Sequence, residues 1–275
     1  MSPILTRIPY SKGLGSRTSI AVSVPIISNG LILYLDAGNA ASYPGSGTTW
    51  TDVSGNINTG TLVNGVGYSA SNGGALTFDG TNDYVLANNT SLNSKFSSTS
   101  VSHFSWVYPT GAGVLVSELG QTTPNSGWHD SNIEISADGA FSFSTWHNGL
   151  TSKVVSSNQS FNIWYYVGFT YDGTTLTAYI NGSSIGTTTF TRQAPYNNGN
   201  QTHYALFATD ATNMGTGGYG VGRCAAFSVY NKALTAAEVS QNFQALRGRF
   251  GIWVCKVINN HMIPSASHED GRNVM

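Results

Sequence analysis

Hydrophobic residues in this chain recur at every second position, in short runs set between polar turn signals. Ile163, Tyr165, Val167, Phe169 and Tyr171 share one parity, Asp172-Gly173 interrupts, Leu176, Ala178 and Ile180 return, and Asn181-Gly182 interrupts again. Alternation with period two predicts strands, and Asp-Gly and Asn-Gly tolerate the positive φ of tight hairpins, so 163–185 reads as a three-stranded antiparallel meander. Further turn signals stand at Asn64-Gly65, Asn72-Gly73, Asp79-Gly80, Asp138-Gly139 and Asn148-Gly149. Between them the spans 30–36, 75–78, 83–86, 100–108, 114–119, 132–136, 140–146, 203–208 and 221–230 have strand character. So many short strands with polar turns predict an all-β fold of two packed antiparallel sheets.

One stretch breaks the period. Thr235-Ala236-Ala237-Glu238 has the form of a capping box, and Val239, Phe243 and Leu246 follow at helical spacing up to Gly248. A short amphipathic helix is expected there, lying across the edge or rim of the sandwich and stopped by Gly248. Beyond it, 251–258 reads as a last strand and 259–275 as a polar, extended tail. The expected organisation is an N-terminal extended arm over 1–29, a body over 30–250, and a C-terminal strand and tail over 251–275.

Composition narrows the function. Charged residues are only 9 % of the chain, against roughly a quarter in ordinary soluble domains. A net charge of -1 lacks the concentrated basic patch that phosphate backbones require, so nucleic acid is not an expected partner. The charge is uneven. Arg7, Lys12 and Arg17 make the arm basic, whereas the body from Asp36 to Thr235 carries ten acids and five bases. That asymmetry suits docking onto an acidic neighbour, and equally an arm kept soluble by its charges. Cys224 and Cys255 are too few for a disulfide framework and match no zinc spacing, so both are expected reduced. The N-terminus lacks a continuous apolar core, and Pro25 breaks the run 20–27, so neither a signal peptide nor membrane insertion is expected.

Three stretches resemble the concanavalin A-like lectin/glucanase superfamily, in its laminin-G-like jelly-roll branch. They are Gly30-Leu31-Ile32-Leu33-Tyr34-Leu35-Asp36-Ala37 with Trp50-Thr51-Asp52-Val53-Ser54-Gly55-Asn56, then Leu76-Thr77-Phe78-Asp79-Gly80-Thr81-Asn82-Asp83-Tyr84-Val85, and finally the stretch from Phe227 to Val239. The resemblance covers about Gly30 to Phe250 and implies a jelly-roll sandwich that works as a binding module. The stretch from Val239 to Gly251 is similar to the version found in bacteriophage virion structural proteins. It implies a non-enzymatic protein that decorates a capsid or belongs to a tail appendage, made in the host cytoplasm and localised to the virion. In that setting the partners would be other virion proteins held through both arms, further copies of the chain, and host-surface glycan. A soluble lectin or adhesin is the alternative, and a glycoside hydrolase of the same fold stands third.

Glycoside hydrolysis needs two carboxyls flanking one bond. Glu134 stands in Asn132-Ile133-Glu134-Ile135-Ser136 with only the turn residue Asp138 at matching parity, while Glu118 and Asp130 are isolated. No catalytic residues are therefore expected. For saccharide binding, Trp128-His129-Asp130 and Trp146-His147 place an indole beside polar groups, the pairing that stacks on a sugar and bonds its hydroxyls. For both pairs the competing reading is a packed core tryptophan. No cofactor is expected apart from calcium, for which Asp79, Asn82 and Asp83 offer oxygens. The competing reading there is a turn that Asp79-Gly80 and Asp83 hold by bonding backbone amides.

Overall fold

A computed structural model describes residues 24–87, 92, 100–119, 129–147, 150–191, 203–208, 218–252, 255–258 and 261–264; for 129, 130, 146, 147, 150, 255–258 and 261–264 it describes the backbone alone. The strands are β1 (Leu31–Asp36), β2 (Thr49–Trp50), β3 (Gly60–Val63), β4 (Gly67–Ser69), β5 (Ala75–Asp79), β6 (Tyr84–Ala87), β7 (Val101–Pro109) and β8 (Gly113–Leu119). They continue with β9 (His129–Ile135), β10 (Ala140–His147), β11 (Leu150–Asn158), β12 (Tyr165–Tyr171), β13 (Thr175–Ile180), β14 (Ser183–Thr189), β15 (His203–Leu206), β16 (Val221–Tyr230), β17 (Cys255–Ile258) and β18 (His261–Pro264). One antiparallel sheet has the order β14-β13-β12-β7-β16-β5-β4, with β1 also on β16; the other runs β11-β10-β9-β8-β15-β6-β3-β2. This is the jelly-roll sandwich implied by the sequence.

The inner faces meet in one apolar cluster. Leu33, Val107, Val167, Phe169 and Phe227 come from the first sheet, and Val116, Ile133, Phe141, Phe143 and Leu206 from the second. Each such side chain, fully buried, contributes about 1.5–3 kcal/mol. Phe78 and Phe207 stack in that core with centroids 4.0 Å apart.

The first sheet is apolar at both parities, and this sets the helix position. The helix Ala236–Leu246 buries Val239 and Phe243 against Phe104, Trp106, Tyr166 and Tyr230, in a second cluster. It therefore covers the outer face of that sheet rather than an edge or rim. Its N-terminus is the expected capping box: Thr235 Oγ1 accepts from Glu238 N at 3.3 Å, and Thr235 N donates to Glu238 Oε2 at 2.8 Å. Its end differs. A 3-10 turn, Arg247–Phe250, extends it, and Gly251 rather than Gly248 takes the left-handed conformation, with φ 68°. The extra turn carries Phe250 to within 4.3 Å of Trp106, centroid to centroid.

The meander is present, but β12 starts at Tyr165 rather than at Ile163. Asn162 has φ 64° and turns the chain there, so Ile163 leaves the core face and is 48 % exposed. The chain divides into two compact units, Val24–Ile252 and one drawn from both termini. Within the larger unit, Ile27 N donates to Asn242 Oδ1 at 2.7 Å and Gln241 Nε2 donates to Pro25 O at 2.9 Å, which ties the segment before β1 to the helix. Within the smaller, β17 pairs antiparallel with β18. Among the described residues no helix is long and apolar enough to cross a membrane.

Candidate functional site

Trp128 lies outside the described residues. His129 and Asp130 belong to β9 and Trp146 and His147 to β10, where only their backbone is described. Asp79, Asn82 and Asp83 do come together, in one turn, with their oxygens engaged by neighbouring amides. Asp83 accepts from Gly65 N at 2.7 Å through Oδ1 and from Asp79 N at 3.3 Å through Oδ2. Asp79 Oδ1 accepts from Thr81 N at 2.7 Å, a bond that holds its carboxyl below the usual carboxylate range. The Asn82 carbonyl accepts from Asn64 Nδ2 at 2.5 Å. Among the described residues no three His, Cys, Asp or Glu side chains gather as a metal site.

The acids separate across a sheet. Glu118 pairs in register with Ser131 and Tyr204, and Tyr204 belongs to the inner cluster. Glu134 pairs with Ser142, whose neighbours Phe141 and Phe143 point inward, so Glu134 faces out. Both are fully buried. Ser131 Oγ donates to Glu118 Oε2 at 2.8 Å, and Asn132 Nδ2 donates to Glu134 Oε1 at 3.3 Å. Carboxyls on opposite faces of one sheet do not flank a common bond. Asp138 accepts from Ser136 Oγ within its turn, and that bond keeps its carboxyl low.

A cleft of about 500 Å³ opens where the 3-10 turn meets the start of β12. Tyr108, Trp164 and Phe250 supply its rings and Asn162, Asn181 and Arg223 its polar groups. The Tyr108 and Trp164 rings lie 5.4 Å apart, and those of Trp164 and Phe250 4.5 Å. Trp164 Nε1 donates to Asn72 Oδ1 at 3.3 Å, while Asn72 Nδ2 donates to Arg249 O at 3.2 Å. Arg249 is fixed in turn by Asp36, 2.7 Å away. These bonds lock the indole, and the buried rings of Trp164 and Phe250 back the more open Tyr108 in a preset wall.

The polar groups keep unused capacity. Asn181 Oδ1 accepts from Tyr166 N at 2.9 Å, and its Nδ2 has no partner among the described residues. Asn162 holds its place by its backbone amide, which donates to Pro109 O at 2.9 Å, leaving the side-chain amide exposed. Arg223 sits opposite Tyr108 in register, with Cζ 5.1 Å from the ring centroid. A second groove, about 390 Å³ between Val155 and Ile185, has neither an aromatic ring nor a charge in its lining. Rings for C–H faces and amides for hydroxyls make the first the better saccharide site.

Sequence reasoning missed this cleft. Trp164 and Tyr108 fall on the parity opposite the inner core, and Arg223 lies far along the chain. The available signal was that Phe104, Trp106 and Tyr108, and likewise Trp164 and Tyr166, place aromatic rings on the parity opposite the inner core, which asks for a covering layer on the outer face.

A family model described as the concanavalin A-like lectin/glucanases superfamily matches residues 79–240, more than half of the chain. No curated protein matches it as a relative. Among solved structures, the binding domain of Paraclostridial Mosquitocidal Protein 1 is similar, with TM-score 0.59, 18 % identity, and coverage of 78 % of this chain and 52 % of that one. The chain thus spans about half the length of that structure. Domain 4 of AbnA, an extracellular arabinanase from Geobacillus stearothermophilus, in complex with arabinotriose, has TM-score 0.56 and 16 % identity, covering 77 % of this chain and 97 % of that one. Trypanosoma rangeli sialidase in complex with sialic acid has TM-score 0.59 and 15 % identity, covering 82 % and 34 %. At these identities the structural likeness speaks for the fold, and the matched segment for the lineage: the chain belongs to the concanavalin A-like lectin/glucanase superfamily.

Proposed function

We propose that this chain is a non-catalytic saccharide-binding domain whose site is the cleft between Tyr108, Trp164 and Asn162. The observation that carries the reading is the preset aromatic wall beside unspent amides, in a volume of about 500 Å³ that suits one or two sugar rings. Support comes from the arabinanase domain, which this chain covers almost entirely and whose structure holds arabinotriose. The mosquitocidal protein's binding domain supports it as well. The placement of Glu118 and Glu134 on opposite faces supports a binding role over a hydrolytic one. The virion setting implied by the sequence resemblance draws nothing from these structures, so the proposal concerns the domain alone.

A glycan array with the full chain tests it. Wild type is expected to bind a saccharide, and Tyr108→Ala to bind it several-fold more weakly, since stacking contributes on the order of 1 kcal/mol. Equal binding by both proteins, or none by wild type, would contradict the proposal. Hydrolysis of a polysaccharide panel, abolished by Glu134→Gln, would contradict its non-catalytic part.

A further inference from the structure

We infer that the cleft selects a saccharide bearing a carboxylate, and that Arg223 is the residue that reads it; this rests on the saccharide-binding reading. Arg223 is the one charged side chain in the lining of the cleft, and no acid faces it there. Ion pairs among the described residues join Lys232 to Glu238 and Arg249 to Asp36, so Arg223 has no carboxylate partner within them. Its guanidinium is instead held against the Tyr108 ring, 5.1 Å from the centroid, on a strand fixed from both sides by β7 and β5. Stacking on a ring limits the rotamers of the fork and leaves its N–H edge for a ligand.

A partly buried guanidinium beside apolar rings is costly to cover with a neutral group, because its donors lose water without gaining charge. A carboxylate restores the balance. Its two oxygens match the planar fork in a bidentate pair, and one negative charge offsets one positive. The sugar ring then rests against Tyr108, which the buried Trp164 backs, with Asn162 and Asn181 donating to its hydroxyls.

The test compares a uronic-acid oligosaccharide with its methyl ester, by calorimetric titration of the full-length protein. The acid is expected to bind at least about tenfold tighter than the ester, as for hydrogen bonds between charged groups, with a ratio that shrinks as salt is raised. In Arg223→Gln the ratio of acid to ester affinity should fall to about one, with a melting curve taken to show that the variant is folded. Equal binding of acid and ester to wild type overturns the inference while leaving a saccharide site in place. So does an acid preference that survives Arg223→Gln. Binding of neither compound, nor of any other saccharide, overturns both readings.

Discussion

A methyl group at Gly168 would lie 2.2 Å from the carbonyl oxygen of His103 and 2.2 Å from the Phe104 ring. The Phe104 ring occupies the space that any side chain on β12 would need there, and stacks on Tyr166 at 5.1 Å. Gly168→Ala should therefore lower stability by at least about 1–3 kcal/mol, read from denaturant melts; an unchanged midpoint would show that the sheet gives way easily. Asp83 makes a second case. Buried and bonded to two backbone amides, it closes the turn without help, so Asp83→Ala should cost about 1–3 kcal/mol. We expect that loss to be equal with calcium and with chelator. A calcium-dependent melting temperature in wild type that disappears in Asp83→Ala would make the turn a metal site. The glycine's case was not legible beforehand, since its neighbours come from a distant strand. Asp83 as a turn-holding residue is one of the two readings of the sequence; its bond to Asp79 N is local, whereas its bond to Gly65 N is not.

The helix shows which features are local. Thr235 and Glu238 are three residues apart, so their reciprocal bonds are written in four consecutive residues and are found as expected. Glu238→Ala should cost about 1 kcal/mol, or roughly 2–4 °C in melting temperature for a domain of this size. The helix end is different. Arg247-Gly248-Arg249-Phe250-Gly251 offers two glycines, and local rules favour the first. The stop is decided by Phe250, which must reach Trp106 and Trp164. Gly251, at φ 68°, should accordingly tolerate alanine less well than Gly248, by about 1–2 kcal/mol. Equal melting temperatures for Gly248→Ala and Gly251→Ala would count against that geometry. Edge strands were the hardest to read. β2 is two residues long, and β11 leaves Val155 exposed at 44 %, so neither writes a clean apolar alternation.

Two layers, their antiparallel strands and the meander were legible because each rests on parity within a short run. The cleft was not, because it joins β7, the start of β12, the turn after β13, β16 and the 3-10 turn, and only the folded chain brings these together. Titration links the whole molecule to pH. Burial holds His203 below its ordinary range, and its Nδ1 lacks a partner among the described residues. The unfolded chain binds that proton more readily, so stability is full above about pH 6.5 and falls as pH drops below it. The carboxyls of Asp172, held low by the Thr175 amide, and of Glu238, held low by Lys232, stabilise above about pH 4 and lose that effect below it. Melting temperature should thus fall in two stages on acidification, and His203→Gln should remove the first; a single stage in wild type would exclude the His203 contribution.

The cleft itself is tested most directly by titrating a bound saccharide into ¹⁵N-labelled protein and following the tryptophan indole and backbone amide signals. The account predicts that the Trp164 indole N–H and the amides of Asn162, Asn181 and Arg223 shift together, along one saturable curve. Shifts confined to Trp128 or Trp146 and their neighbours, with Trp164 unmoved, would place the ligand elsewhere and contradict it.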